Sequence, residues 1–338
     1  MPRSVSYLVL AGILLLAGWL HLATPLLTAL FSYLALTKLH FWKRGGKWLA
    51  VALFLVLVSA LAYGLGYLIN QTVQTLPIIA NKAIPNIIQW FKEHQIELPF
   101  TDYDSLMDVA FDAVKSQVHY LGSFAKFARG ATTQFLFLIA GGVVAIGVFL
   151  NPQLELDRDK HPVRNNLYSL CCDQISQRFQ FFYRSFATVM GAQIAISAIN
   201  TALTAMFVLI VHLPHPVVVI GMTFLCGLLP VIGNLISNAI IVGIGFTVSP
   251  RMALAALIFL VLIHKLEYLL NSKIVGQRIR NPLWLTLLGL VLGETLMGVP
   301  GMILAPVVLN YIKMETSTIE VNAGDGHPGA VENPATTR

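Results

Sequence analysis

The sequence predicts an all-α polytopic membrane protein with about six full transmembrane helices plus two broken or re-entrant hairpins, eight membrane segments in all. Three observations carry this. Of 338 residues, 56% are hydrophobic and only 11% charged, more apolar surface than one water-soluble core could hide. Several stretches exceed the roughly 20 apolar residues that cross a bilayer, where lipid leaves no backbone group unpaired and so enforces helix. Two further apolar runs of about thirty residues, Pro216–Val248 and Leu283–Ile312, are interrupted near their middles by proline and glycine.

The net charge of +6 is scattered between apolar segments, so it reads as topology and predicts no nucleic-acid partner. Adjacent Cys171 and Cys172, with Cys226 in an apolar run, lack the spacing of a zinc site or a disulfide framework. No P-loop, paired catalytic carboxylates or nucleophile with a nearby base is visible, which argues against an enzyme and against a bound cofactor or metal. A multi-pass protein of the inner cell membrane is expected.

The chain starts "MPRSVSYLVLAGILLLAGWL", and its apolar run continues to Leu36 without a cleavage site, so the segment is read as retained. Val5 to Thr37 is long for one span; Trp19, His21 and Pro25 predict a turn between two compact helices. "KLHFWKRGGK" carries Lys38, Lys43, Arg44 and Lys47 without an acid and is placed in the cytoplasm. Trp48 to Ile69 then crosses outward, completing N-terminal transmembrane helices over 1–70.

An extramembrane amphipathic helical section is predicted over 71–130, broken at Pro99. Ile84, Ile87, Ile88 and Phe91 form one apolar stripe, and Leu106, Ala110, Val114, Val118, Leu121 and Ala125 another. The section reads as a lid, as an arm that joins copies into a homo-oligomer, or as a packing domain. A transport core follows over 131–315, beginning with a return span at Thr132–Leu150. The tail over 316–338 is too polar to bury a core and is expected to be disordered.

The span at about Arg184–Val211 carries Gln193, Ser197, Asn200, Thr201 and Thr204 at i, i+4, i+7, i+8 and i+11, one face of a helix. Polar side chains avoid lipid, so this face borders either a hydrated path or partner helices that share its hydrogen bonds. After it, Pro216–Val248 as one helix would be about 50 Å long against a hydrocarbon core of about 30 Å. Cut at Pro230–Asn234, it becomes two short arms; Gly298, Pro300 and Gly301 cut the second run likewise.

Charge chooses between kinked spans and hairpins. If Pro216–Val248 crossed inward, the basic "NSKIVGQRIRN" would lie outside, against the positive-inside bias. If it dips and returns, that loop is cytoplasmic and the second broken run dips from the opposite side. Unwound tips of opposed broken helices expose backbone groups that bind solutes or ions in transporters; the competing reading is two proline-kinked spans.

An ionisable group within an apolar segment costs about 2.5–3.5 kcal/mol at a helix centre. Glu294, four residues before Gly298, is the leading candidate to carry a coupling proton or cation, with a packing carboxyl as the alternative. Glu267 reads as an interfacial ion pair or a site residue. Asn234 and Asn238, one turn apart beyond Pro230 and Gly233, suit a polar solute or a cation shell, and Asn234 equally suits a helix cap. His212, His215 and His264 read as boundary residues, and Gly289 with Gly293 as a close-packing spacing.

From Arg184 to Ile312 the residues resemble the autoinducer-2 exporter family of prokaryotic membrane transporters. "LLPVIGNLISNAIIVGIGF" is similar to its Pro-x-x-Gly segment, and Glu267, Gly276, Pro282, Gly293, Gly298, Gly301 and Pro306 fall on its pattern. Asn234 and Ser272 stand where the family usually has proline. The resemblance implies transport, with members associated with autoinducer-2 export or sodium/proton exchange. The expected function is thus secondary export of a small molecule or ion across the lipid bilayer. The path would be lined by Gln193, Asn200, Thr204, Pro230, Gly233, Asn234, Asn238, Glu267, Glu294, Gly298, Pro300 and Gly301. The alternative class is an oligomeric pore or a structural membrane protein.

Overall fold

A computed structural model of the chain describes residues 2–20, 22–40, 46–93, 124–151, 166–229, 232–274 and 282–318, and among these every regular element is helical. Val5–Thr37 forms two helices, α1 (Pro2–Trp19) and α2 (Ala23–Leu39). Pro25 lies inside α2 rather than in the turn, but in its first turn, where a missing N–H leaves no intrahelical bond unmade. The next helix, α3 (Gly46–Glu93), runs 48 residues and does not end where its apolar stretch does, near residue 70. Of the stripe expected on this extension, Ile87 and Phe91 are half-buried. Pro99 and the second stripe from Leu106 to Leu121 lie outside the described residues, as do Pro230, Gly276 and the tail beyond Thr318.

Helix α4 (Phe124–Leu150) packs on α2, where a Cβ at Gly141 would stand 2.6 Å from the Pro25 carbonyl oxygen. Then come α5 (Leu167–Ile210), α6 (Pro216–Gly227), α7 (Ile232–Val248), α8 (Pro250–Ile274), α9 (Leu283–Met297) and α10 (Val299–Thr316). By length and composition Gly46–Thr75, Thr133–Leu150 and Leu167–Ile210 are each apolar enough to cross a bilayer. Shorter apolar helices come from Val5–Trp19, Ala23–Leu39 and the two broken runs. The outward faces carry Val56 (67% exposed), Val143 (62%) and Leu262 (61%), a surface that suits lipid and would be a liability in water. This is an all-α membrane protein.

Helix α5 is the central post. Its first half packs through Phe182, Phe186 and Met190 onto Leu10 of α1, Leu27 and Leu34 of α2, and Leu304, Val307 and Tyr311 of α10. Phe186 is fully buried and meets Phe31 edge to face at 5.0 Å. Its far end packs through Val208 against Val219 of α6, Ile241 and Ile244 of α7, and Ala256 and Leu260 of α8. Lipid tails are as apolar as these side chains, so close contact rather than escape from water holds the post in place.

Both broken runs fold back as paired antiparallel helices rather than as single kinked rods. In the first, Val219 shares a cluster with Ile241 and Ile244 across the turn. In the second, a Cβ at Gly293 would lie 2.4 Å from the Gly301 carbonyl oxygen, and one at Gly289 3.1 Å from Leu309. The Gly289/Gly293 spacing is therefore a packing face, directed at α10. His212 and His215 adopt positive φ of 52° and 57° and form the turn that returns α5 into α6, a conformation histidine enters more readily than most residues. The long α3 braces the first hairpin from outside: Asn86 Nδ2 donates to the Phe246 carbonyl at 2.7 Å, and Thr75 Oγ1 lies 3.4 Å from His215 Nδ1.

Candidate functional site

The first break ends α6 with carbonyls that no following turn can satisfy. The Leu228 N–H, which a continuing helix would give to Phe224, bonds the Leu225 carbonyl instead. The polar face of α5 takes up the freed groups. Ser197 Oγ donates to the Phe224 carbonyl at 2.8 Å, and Gln193 Nε2 to the Gly227 carbonyl at 2.6 Å. Gly227 must lack a side chain here, because a Cβ would stand 2.5 Å from Ser197 Oγ. At this level the α5 face serves as partner for a broken helix.

Farther along the same face the pairing stops. Asn200 and Thr204 are buried, and neither Asn200 Oδ1 nor Thr201 Oγ1 meets a hydrogen-bond partner among the described residues. Buried polar atoms are rarely left so, and water or a polar solute is what normally completes them.

Beyond the break, α7 starts at a tight return. A Cβ at Gly233 would lie 1.6 Å from the Cys226 carbonyl oxygen, so no other residue fits this path. One residue later Asn234 points across to α8, where its Nδ2 donates to both Glu267 oxygens, at 2.9 and 3.0 Å. Asn238, one turn on, places Nδ2 2.7 Å from His264 Nε2. The other ring nitrogen, Nδ1, faces Glu267 Oε2 at 3.5 Å. Asn238, His264, Glu267 and Asn234 thus form one continuous polar chain between the first hairpin and α8. Glu267 is mostly covered, with 14% of its side chain exposed, while His264 at 45% is open.

The second tip is built differently. Gly298 takes φ +62° and ψ −147°, a region open only to glycine, and single-handedly reverses the chain. Its N–H bonds the Glu294 carbonyl at 2.7 Å, and its own carbonyl accepts from Gly301 at 2.9 Å. Pro300 sits in the first turn of α10, and Gly301 faces Gly293 so closely that a Cβ would stand 1.9 Å from the Gly293 oxygen. Glu294 is exposed on α9, on a flank shared with Val291 (61%).

Of the residues picked from sequence, Asn234, Asn238 and Glu267 are brought together, Gln193 joins them indirectly through the end of α6, and Glu294 and the second tip stand apart from this polar chain. Asn234 uses its side chain on α8 rather than as a cap. Among the described residues Glu267 meets Asn234 and His264, and the basic residues Arg278 and Arg280 of the following loop lie outside them. Two groups were not legible. His264 reads as a boundary residue until its i, i+3 spacing to Glu267 is set against Asn234 and Asn238. Arg178 and Glu315, paired from helices 137 residues apart, have no sequence signal that joins them.

Residues 5–319 match the family described as "AI-2E family transporter". A stretch of 125 residues, 36% of this chain, is 30% identical to a Bacillus subtilis (strain 168) protein named "Putative transport protein YdbI". The matched stretch spans 36% of that relative's own length.

Proposed function

The chain belongs to the AI-2E transporter family and is a membrane transporter, and on that premise we propose that it is a secondary carrier that exports a small polar solute, with the Asn238–His264–Glu267–Asn234 chain as its polar centre. What supports this most is the direct tie between the broken-helix tip and a carboxylate on a neighbouring span. Carboxylates held in apolar segments are costly, and at a discontinuous helix they suit a proton, a cation or a hydroxyl-rich solute. In this reading the first hairpin dips from the outer side and returns, and the second dips from the cytoplasm. About 22 Å of helix between Asn234 and the proposed outer turn at Ser249 supports a polar centre deep in the membrane. The orphaned Asn200 and Thr201 oxygens are the second polar surface along the path.

Comparing metabolites inside and outside a deletion strain and an overexpressing strain identifies the solute. Flux of that solute into proteoliposomes, with and without an imposed proton or sodium gradient, then tests the mechanism. A carrier saturates and responds to the gradient, whereas linear, gradient-independent flux would make the protein a pore. Thiol labelling of Ser249→Cys from outside and Ser272→Cys from inside checks the hairpin topology; the reverse pattern overturns it.

A further inference from the structure

A second polar cluster lies away from both tips, where α1, α5 and the end of α10 meet. Arg178 Nη1 is ion-paired with Glu315 Oε1, and their side chains are only 9% and 5% exposed. Tyr7 Oη donates to the same Glu315 oxygen at 2.9 Å, while the Arg178 guanidinium lies 4.7 Å over the Tyr7 ring. Arg178 Nη2 approaches Gln174 Oε1 at 3.4 Å. One turn before Glu315, Tyr311 stacks edge-on against Phe182 at 5.7 Å.

Two features distinguish this cluster from a packing pair. Glu315 sits in the last turn of α10, at the negative end of that helix's dipole, where a carboxylate is disfavoured unless a cation holds it. The network is also only half made. Arg178 Nε, Glu315 Oε2 and Tyr311 Oη are all buried with no hydrogen-bond partner among the described residues. A fully satisfied buried pair locks a structure, but a partly satisfied one leaves donors and acceptors that gain from water when the contact opens. Farther along the same seam Ser185 and Asn310 form a completed rung, Asn310 Nδ2 donating to Ser185 Oγ at 2.8 Å and Ser185 Oγ to the Val307 carbonyl at 2.9 Å. Opening at Arg178–Glu315 thus has a defined limit: the end of α10 can part from α1 and α5 while its middle stays held.

We infer that the Tyr7–Arg178–Glu315 cluster is a releasable latch on the returning arm of the second hairpin, opened when water reaches Arg178 Nε, Tyr311 Oη and Glu315 Oε2. The inference is independent of what the protein carries. Hydrogen–deuterium exchange of the full chain in lipid nanodiscs tests it, comparing peptides from 299–316 with peptides from α8. Arg178→Gln and Glu315→Gln should speed exchange near 311–316 by about tenfold and leave α8 within about twofold. The swap Arg178→Glu with Glu315→Arg should return the rate towards that of the wild type. The decisive variant is Arg178→Met with Glu315→Leu, which replaces the pair by apolar groups that need no water and should slow exchange at 311–316 below the wild type. Equal exchange in that variant and the wild type overturns the latch, whatever the single variants do, because a contact that never opens has no opening to suppress. Loss of the fold in the apolar variant, seen as faster exchange in every peptide, overturns it as well.

Discussion

The two broken runs solve the same problem, reversing a helix inside an apolar segment, by different chemistry. In the first hairpin α6 ends at Gly227 and α7 begins at Ile232, and the loose ends go to neighbours: α5 side chains hold the Phe224 and Gly227 carbonyls, and Glu267 of α8 holds Asn234. The second reverses at the single residue Gly298 and is closed by its own backbone, Gly293 against Gly301. Both tips need glycine, Gly233 in the first and Gly301 in the second, but the first depends in addition on polar partners from other helices, whereas the second is closed by its own backbone. A tip whose partners can be exchanged for a solute is suited to binding, while a tip held by glycine contact is suited to keeping its shape.

Breaking the second hairpin should produce the largest effect. Gly301→Ala forces a methyl group into the Gly293 backbone, where no flexible side chain can yield. Overpacking of this kind costs up to about 3 kcal/mol or more. The expected outcome is loss of folded protein on thermal unfolding in detergent, and a variant as stable as the wild type would show that the two arms are not in contact.

Next in size is Glu267→Gln, which keeps the shape of the side chain but removes the charge from the polar centre of the first hairpin. We expect gradient-driven flux to fall at least tenfold with folding preserved. Glu294→Gln, on the exposed flank of α9, is the matched control and should lose less than about threefold. The reverse ranking would move the coupling role to the second hairpin and undo the division between the two.

How much of this was legible beforehand follows the same line. Helix breaks and the polar face of α5 are local, written in spacing and residue type, and could be read directly. Partners were not, because a polar residue in an apolar run announces that it needs a neighbour without saying which. Glu267 finds Asn234 on an adjacent helix, and Glu294, the more conspicuous carboxylate in the sequence, faces outward. Arg178 and Glu315 were still harder to see, since Glu315 lies in the last turn of α10 and Arg178 in the first third of α5, which also carries Asp173 and Arg184, and only the packing of α5 on α10 makes them a pair.

The smallest expected effect tests whether α5 holds the first hairpin by hydrogen bonds or by fit alone. Ser197→Ala removes the donor to the Phe224 carbonyl and leaves Gly227 more room. Hydrogen bonds between membrane helices average about 0.6 kcal/mol, and a buried carbonyl left unpaired raises the loss to about 1 kcal/mol. Gln193→Leu should cost a similar amount at the Gly227 carbonyl, and the two together should exceed the sum, because either remaining bond alone still positions the end of α6. Thermal unfolding of the two single variants and the double variant reads this out. If the losses simply add, or fall below about 0.3 kcal/mol, α6 is held by packing around Val219, and the polar face of α5 is left free for the solute along its whole length.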